Sequence, residues 1–152
     1  MEVSPARGIV YDHPAEGVTD MTQKELEIIL TRQLASYLAT PIFIVDPDGS
    51  LIFYNEPAEA LLGRRFEETG EMSAAEWATL FEPRRVDGTP VAKEELPLIM
   101  TLKTRTPCQS DFWIVGLDGR RRHLDVVAMP LLGQASRFLG GVALFWERGA
   151  SP

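Results

Sequence analysis

Two histidines, one cysteine and a few strand-borne carboxylates are the side chains in this sequence whose types could do chemistry. His13 stands in a stretch rich in Pro, Gly and Ala, and His123 closes the run "GRRRH". Neither is accompanied by Cys, His or carboxylates at metal-ligand spacing, so no metal site is expected. Neither has a "GxSxG" partner, which removes Ser-His-Asp hydrolysis, and no Gly-rich phosphate loop leads into a helix. Asp46-Pro47-Asp48-Gly49 has the opening of a calcium loop without its later oxygen ligands or its closing Glu, and reads as a turn. Asp111 and Asp125 remain, both on segments that read as strands. An isomerase using a buried carboxylate in a small α+β cone would need one of them partly buried, with a raised pKa. Alternation, however, places Asp125 opposite Leu124, Val126 and Ala128, away from any cavity those three line. A small enzyme with a buried carboxylate is thus a minor reading.

The elements that must position these residues follow from periodicity. With 152 residues and 45% hydrophobic content, the chain has the size of one domain with a real core. Residues 1–19 lack any period and are expected to be flexible. Thr22 and Glu25 form a capping box for a helix over residues 20–40. Leu26, Ile29, Leu30, Leu34, Tyr37 and Leu38 make one apolar stripe on it, which must be covered. Pro41 then ends the helix, because the residue before a proline resists helical geometry.

"IFIV" and "SLIFY" read as two strands around the Asp-Pro-Asp-Gly turn. Asn55 caps a short helix that begins near Pro57 and stops at Gly63. Ser73 and Glu76 cap a second, "AAEWATLF". "AKEELPLIMTLKT" reads as a third, and Pro97 requires either a start near Glu94–Glu95 or a kink. Three strands close the chain, "CQSDFWIVG", "RHLDVVAMP" and "RFLGGVALFW", the first two joined by an Asp-Gly turn. The pattern is α+β, one antiparallel sheet with helices gathered mainly on one face. In the last strand Val142, Leu144 and Trp146 share a face and Ala143 and Phe145 share the other, so both faces are apolar. The second face needs the N-terminal helix or a partner subunit over it.

Four fragments, in this order and spacing, resemble a PAS domain over about residues 33–147: "PIFIVDPDGSLIFYNEPAEALLG", "DGTPVAKEELPL", "DGRRRHLDVVAMPL" and "GGVALFW". The resemblance implies a five-stranded antiparallel sheet of order 2-1-5-4-3, with short helices cupping a pocket on one face. It also implies a sensory or interaction module, often dimeric through an N-terminal flanking helix and the outer sheet face. On that basis residues 41–148 are the PAS domain and 149–152 a tail. The dimer contact is expected at Leu26, Leu30, Leu34, Tyr37 and Leu38. A ligand pocket is expected at Phe53, Asn55, Leu62, Phe66, Trp77, Phe81, Leu98, Leu102, Phe112, Ile114, Val126 and Leu144, although the same residues also serve as plain core.

The resemblance implies that thiol–flavin photochemistry would need a reactive cysteine in the helical middle. Here that region reads "AAEWATLF", while Cys108 lies at a strand start, so that chemistry is not expected. The resemblance also implies that a haem would take its axial histidine from the helix before the third strand. "EELPLIMTLKTR" holds none, only Met100 as a weak ligand, which argues against haem. A small apolar ligand is compatible with the pocket, and ligand identity stays unknown. The net charge of −7 repels a phosphate backbone, so nucleic acid is not an expected partner. No apolar run approaches the roughly 20 residues of a membrane span, and the N-terminus is unlike a secretory signal. With a single Cys108 the expectation is a cytoplasmic protein, and the resemblance implies a homodimer with a downstream signalling protein as its partner.

Overall fold

Asp46 ends the first apolar run and organises the turn after it. Its carboxylate accepts the backbone N–H of Asp48 at 2.9 Å and of Ser50 at 3.0 Å. Gly49 follows with φ 87°, a conformation that a side chain disfavours. In the computed structural model, which describes residues 16–149, this turn joins β1 (Ile42–Val45) to β2 (Leu51–Tyr54) as an antiparallel pair. His13, most of the segment expected to be flexible, and the last three residues lie outside the described part.

Ahead of β1 runs α1 (Glu16–Ser36). It begins before Thr22, so residues 16–19, expected in the flexible segment, are helical. The capping-box spacing marks a place where a helix can start. Once nucleated, however, a helix extends at little cost per residue. After β2 come α2 (Glu56–Leu62), α3 (Phe66–Thr69), α4 (Ala74–Leu80) and α5 (Pro97–Thr104). The single turn α3 was not legible as a helix in the sequence. The Pro97 question resolves into two pieces: a 3-10 turn at Lys93–Glu95, then α5 with Pro97 in its first turn, where a missing N–H costs nothing. The remaining strands are β3 (Cys108–Val115), β4 (Arg121–Leu132) and β5 (Phe138–Glu147).

The five strands form one antiparallel sheet in the order β2-β1-β5-β4-β3. Register assigns the faces. Phe43 pairs with Tyr54 and Ala143, and Phe145 pairs with Val126, placing these on the side covered by the short helices. Ile44 pairs with Phe53 and Val142, and Leu144 pairs with Ile42 and Val127, on the opposite side. The inner side carries the main core, from Leu51 and Ala58 to Trp77, Leu98 and Phe145. The outer side carries a smaller cluster around Ile42, Ile44 and Ala35.

Candidate functional site

The short helices close over the inner face and leave a cavity of about 70 Å³. Its wall is made of apolar side chains, among them Phe43, Leu62, Trp77, Phe81, Phe112 and Phe145. That is under half of the roughly 150 Å³ known to admit a benzene ring, and far below the roughly 300–1,000 Å³ of ordinary ligand pockets. Trp77 turns its indole N–H away to the Gly49 carbonyl at 2.8 Å, leaving the ring's apolar body on the core.

Of the residues expected at the pocket, Leu62, Trp77, Phe81, Leu98, Phe112, Ile114 and Val126 are brought together on this wall. Phe53 and Leu144 are not: they lie on the outer face with Ile42 and Ile44. Leu144 pairs with Val127, one residue out of phase with the inward Val126, and a one-residue step inverts the face. Phe66 packs edge-on against Phe53 at 5.6 Å and Tyr54 at 5.3 Å, outside the cavity wall. Leu102 packs against the core beside Gly49 and Gly141. Asn55 is buried at the meeting point of α1, β1 and α2 rather than at a pocket rim. Phe43, Leu96, Leu124, Ala143 and Phe145 are among the further wall residues outside the expected set. Alternation groups Ala143 with Phe145 opposite Leu144, and the register against β4 decides which of the two sets faces the cavity.

The second feature is on the outer side. The flank of α1 nearer the sheet is formed by Glu27, Thr31, Arg32 and Ala35, of which Ala35 alone is fully buried. The Arg32 guanidinium lies over the Phe53 ring at 5.1 Å and near that of Phe66 at 5.9 Å. The apolar stripe faces away. Leu26, Ile29, Leu30 and Leu38 are exposed, and Leu34 and Tyr37 reach 63% and 79%. Trp146 on the neighbouring sheet face is exposed as well.

The carboxylates considered for catalysis pair across β3 and β4, Asp111 directly opposite Asp125 on the outer face. Two like charges there require cations. Arg148 supplies one, bonding Asp125 at 2.9 and 3.2 Å and reaching Asp111 at 3.5 Å. His123, stacked on Trp113 at 4.8 Å, holds Asp111 at 2.8 Å. That hydrogen bond, with help from Arg148, keeps the Asp111 carboxyl below its ordinary range, the reverse of what a general base needs. Among the described residues no group of three or more His, Cys, Asp or Glu side chains converges on a metal-sized site. No helix among them is long and apolar enough to cross a membrane.

Residues 37–151 match the family model described as the PAS fold. No curated protein matches. Among solved structures, the chain is similar to the PAS domain of a protein from Colwellia psychrerythraea, at 17% identity and TM-score 0.56, over 79% of this chain and 96% of that one. It is also similar to the Rhodobacter sphaeroides LOV protein, at 15% identity and TM-score 0.66, over 84% and 70% of the two chains. The PAS domain of an HTR-like protein from Haloarcula marismortui matches at 17% identity and TM-score 0.54, over 84% and 98%. At such identities the likeness speaks to the fold alone.

Proposed function

For a chain that belongs to the PAS fold family, we propose a non-catalytic sensory and signalling module that self-associates through α1 and the adjoining outer face of its sheet. The observation that carries this reading is the uncovered ridge of α1. Leu26, Leu30 and Leu34 follow one another at strict four-residue spacing, Leu38 follows just past the helix end at Ser36 rather than in a helix running to residue 40, and all four remain in solvent. Such a row packs into the matching groove of a second helix at a crossing angle of about −50°. An apolar ridge of this length beside an exposed Trp146 is the kind of surface that a soluble protein covers with a partner. A second copy of the chain offers the same ridge, and two-fold pairing is the commonest way to cover it.

The cavity favours either a filled core or a small apolar ligand. A haem or a flavin exceeds its volume several-fold, and the wall offers neither group a polar anchor. The acidic chain and its reducing-compatible single Cys108 favour a cytoplasmic setting with a protein, not a nucleic acid, as the downstream partner. Sedimentation of the purified chain across a concentration series, with native mass spectrometry and an absorbance spectrum, tests the reading. A ligand-free or small-ligand dimer supports it. A strict monomer at high micromolar concentration removes the self-association, and a bound haem or flavin removes the account of the cavity.

A further inference from the structure

Glu27 lies on the sheet-facing side of α1 and inserts its carboxylate at the turn between β4 and β5. One oxygen, Oε1, accepts the backbone N–H of Gln134 at 3.0 Å. The other, Oε2, is shut away from solvent with no hydrogen-bond partner. A carboxylate oxygen left in that condition offsets part, though not all, of what the Gln134 hydrogen bond contributes. The fit is also tight. A Cβ at Gly133 would overlap Glu27 Oε2 and come within 2.8 Å of its Cδ and 2.9 Å of Leu139 Cδ1.

The turn that receives the carboxylate is itself under strain. Ala135 and Ser136 take φ of 57° and 59°, successive left-handed residues without a glycine between them. Such residues persist where their surroundings over-determine them. The hydrogen bond from Gln134 to Glu27 is one of the constraints, beside Gly133 N–H to the Arg137 carbonyl at 2.7 Å. At its other end α1 is held without compromise, because the Asn55 amide donates to the Ala35 carbonyl at 3.0 Å.

We propose that Glu27 is a release catch. The N-terminal part of α1 leaves the β4–β5 turn by withdrawing this carboxylate, while the C-terminal end stays hinged at Asn55. Withdrawal restores water to Oε2 and frees the turn to relax from its left-handed pair. The strained turn and the position of the helix are therefore coupled, and this holds whether or not the ridge pairs with a second copy.

Hydrogen exchange on the full chain tests it, with Gly133→Ala as the first variant. Gly133 has φ −96° and ψ −162°, which alanine adopts freely, so the substitution acts through contact alone. Glu27→Ala is the second variant and removes the catch without adding bulk. Both should raise exchange of amides 20–28 by about tenfold, with β1 unchanged, β5 also unchanged in Glu27→Ala, and residues 32–36 still protected. Measuring both in a Leu34→Glu background as well separates loss of the catch from loss of self-association. Unchanged exchange over 20–28 in the two variants overturns the proposal. So does a rise spread equally over helix and sheet, or an α1 that exchanges at free-peptide rates in the wild type.

Discussion

The side-chain amide of Asn55 donates to the carbonyl of Ala35 at 3.0 Å across twenty residues, so the side chain that caps α2 also holds the end of α1. Its other hydrogen goes to the Thr40 carbonyl at 2.9 Å. Its oxygen accepts from Ala58 N–H at 3.2 Å, the cap itself, and from Ile42 N–H at 2.9 Å, where β1 begins. Both donors and both acceptor positions of one buried amide are thus used. Three elements meet at one residue.

Asn55→Ala removes the cap and orphans backbone groups that water cannot reach. Chemical denaturation should register a loss of about 2–4 kcal/mol. Asn55→Asp keeps both acceptor bonds and loses both donors. It should preserve α2 while exposing residues 35–40 to faster hydrogen exchange.

Leu34→Glu places a charge in the middle of the exposed ridge, at a side chain the folded monomer leaves 63% in solvent. Monomer stability should change by less than about 0.5 kcal/mol. Self-association should weaken by about a hundredfold or more, because a two-fold contact loses two leucines worth about 1.5–3 kcal/mol each. Sedimentation equilibrium reads the second effect and thermal unfolding the first.

Ala143 is buried on the cavity wall. Ala143→Val extends into the empty space and should raise stability by about 1 kcal/mol, the gain from two added carbons less some crowding. A lowered melting temperature would mean that the space is not available at that wall. Where a small apolar ligand copurifies, the same substitution should reduce its occupancy.

Asp118 sits in the β3–β4 turn, where the Arg122 guanidinium beside it and then the Arg120 backbone N–H lower its carboxyl to about 2. A carboxyl depressed on folding supports stability above its unfolded pKa of about 3.9 and loses that support as pH falls toward the folded value. Asp118→Asn should therefore flatten the stability profile between about pH 4 and pH 2 relative to wild type. Arg122 also donates to the Leu61 carbonyl at 2.9 Å, so Arg122→Met should loosen the end of α2 as well.

The features legible in advance were local ones. Asp46 with Gly49, Asn55 ahead of Ala58, and Ser73 ahead of Glu76 each complete their hydrogen bonds within four residues. A short window of sequence therefore holds the whole interaction. Leu144 and Phe53 were assigned to the wrong face because alternation says which residues of a strand agree with one another. It does not say how that strand is phased against its neighbour.

The same distinction separates the two halves of the account. The sequence alone determines the order of the strands and of every helix but α3, the turns between them, the apolar ridge of α1 and, through its motifs, the resemblance to the family. Each of these depends on chain geometry over a few residues or on a pattern that repeats along one element. The tertiary structure decided that Val126 meets Phe145 while Val127 meets Leu144, that the cavity closes to about 70 Å³, and that the ridge of α1 faces outward over a polar flank. These are contacts between segments far apart in the chain. Their phase is set by burial and steric fit across the whole domain, as where Glu27 meets Gly133, and no local window contains both partners.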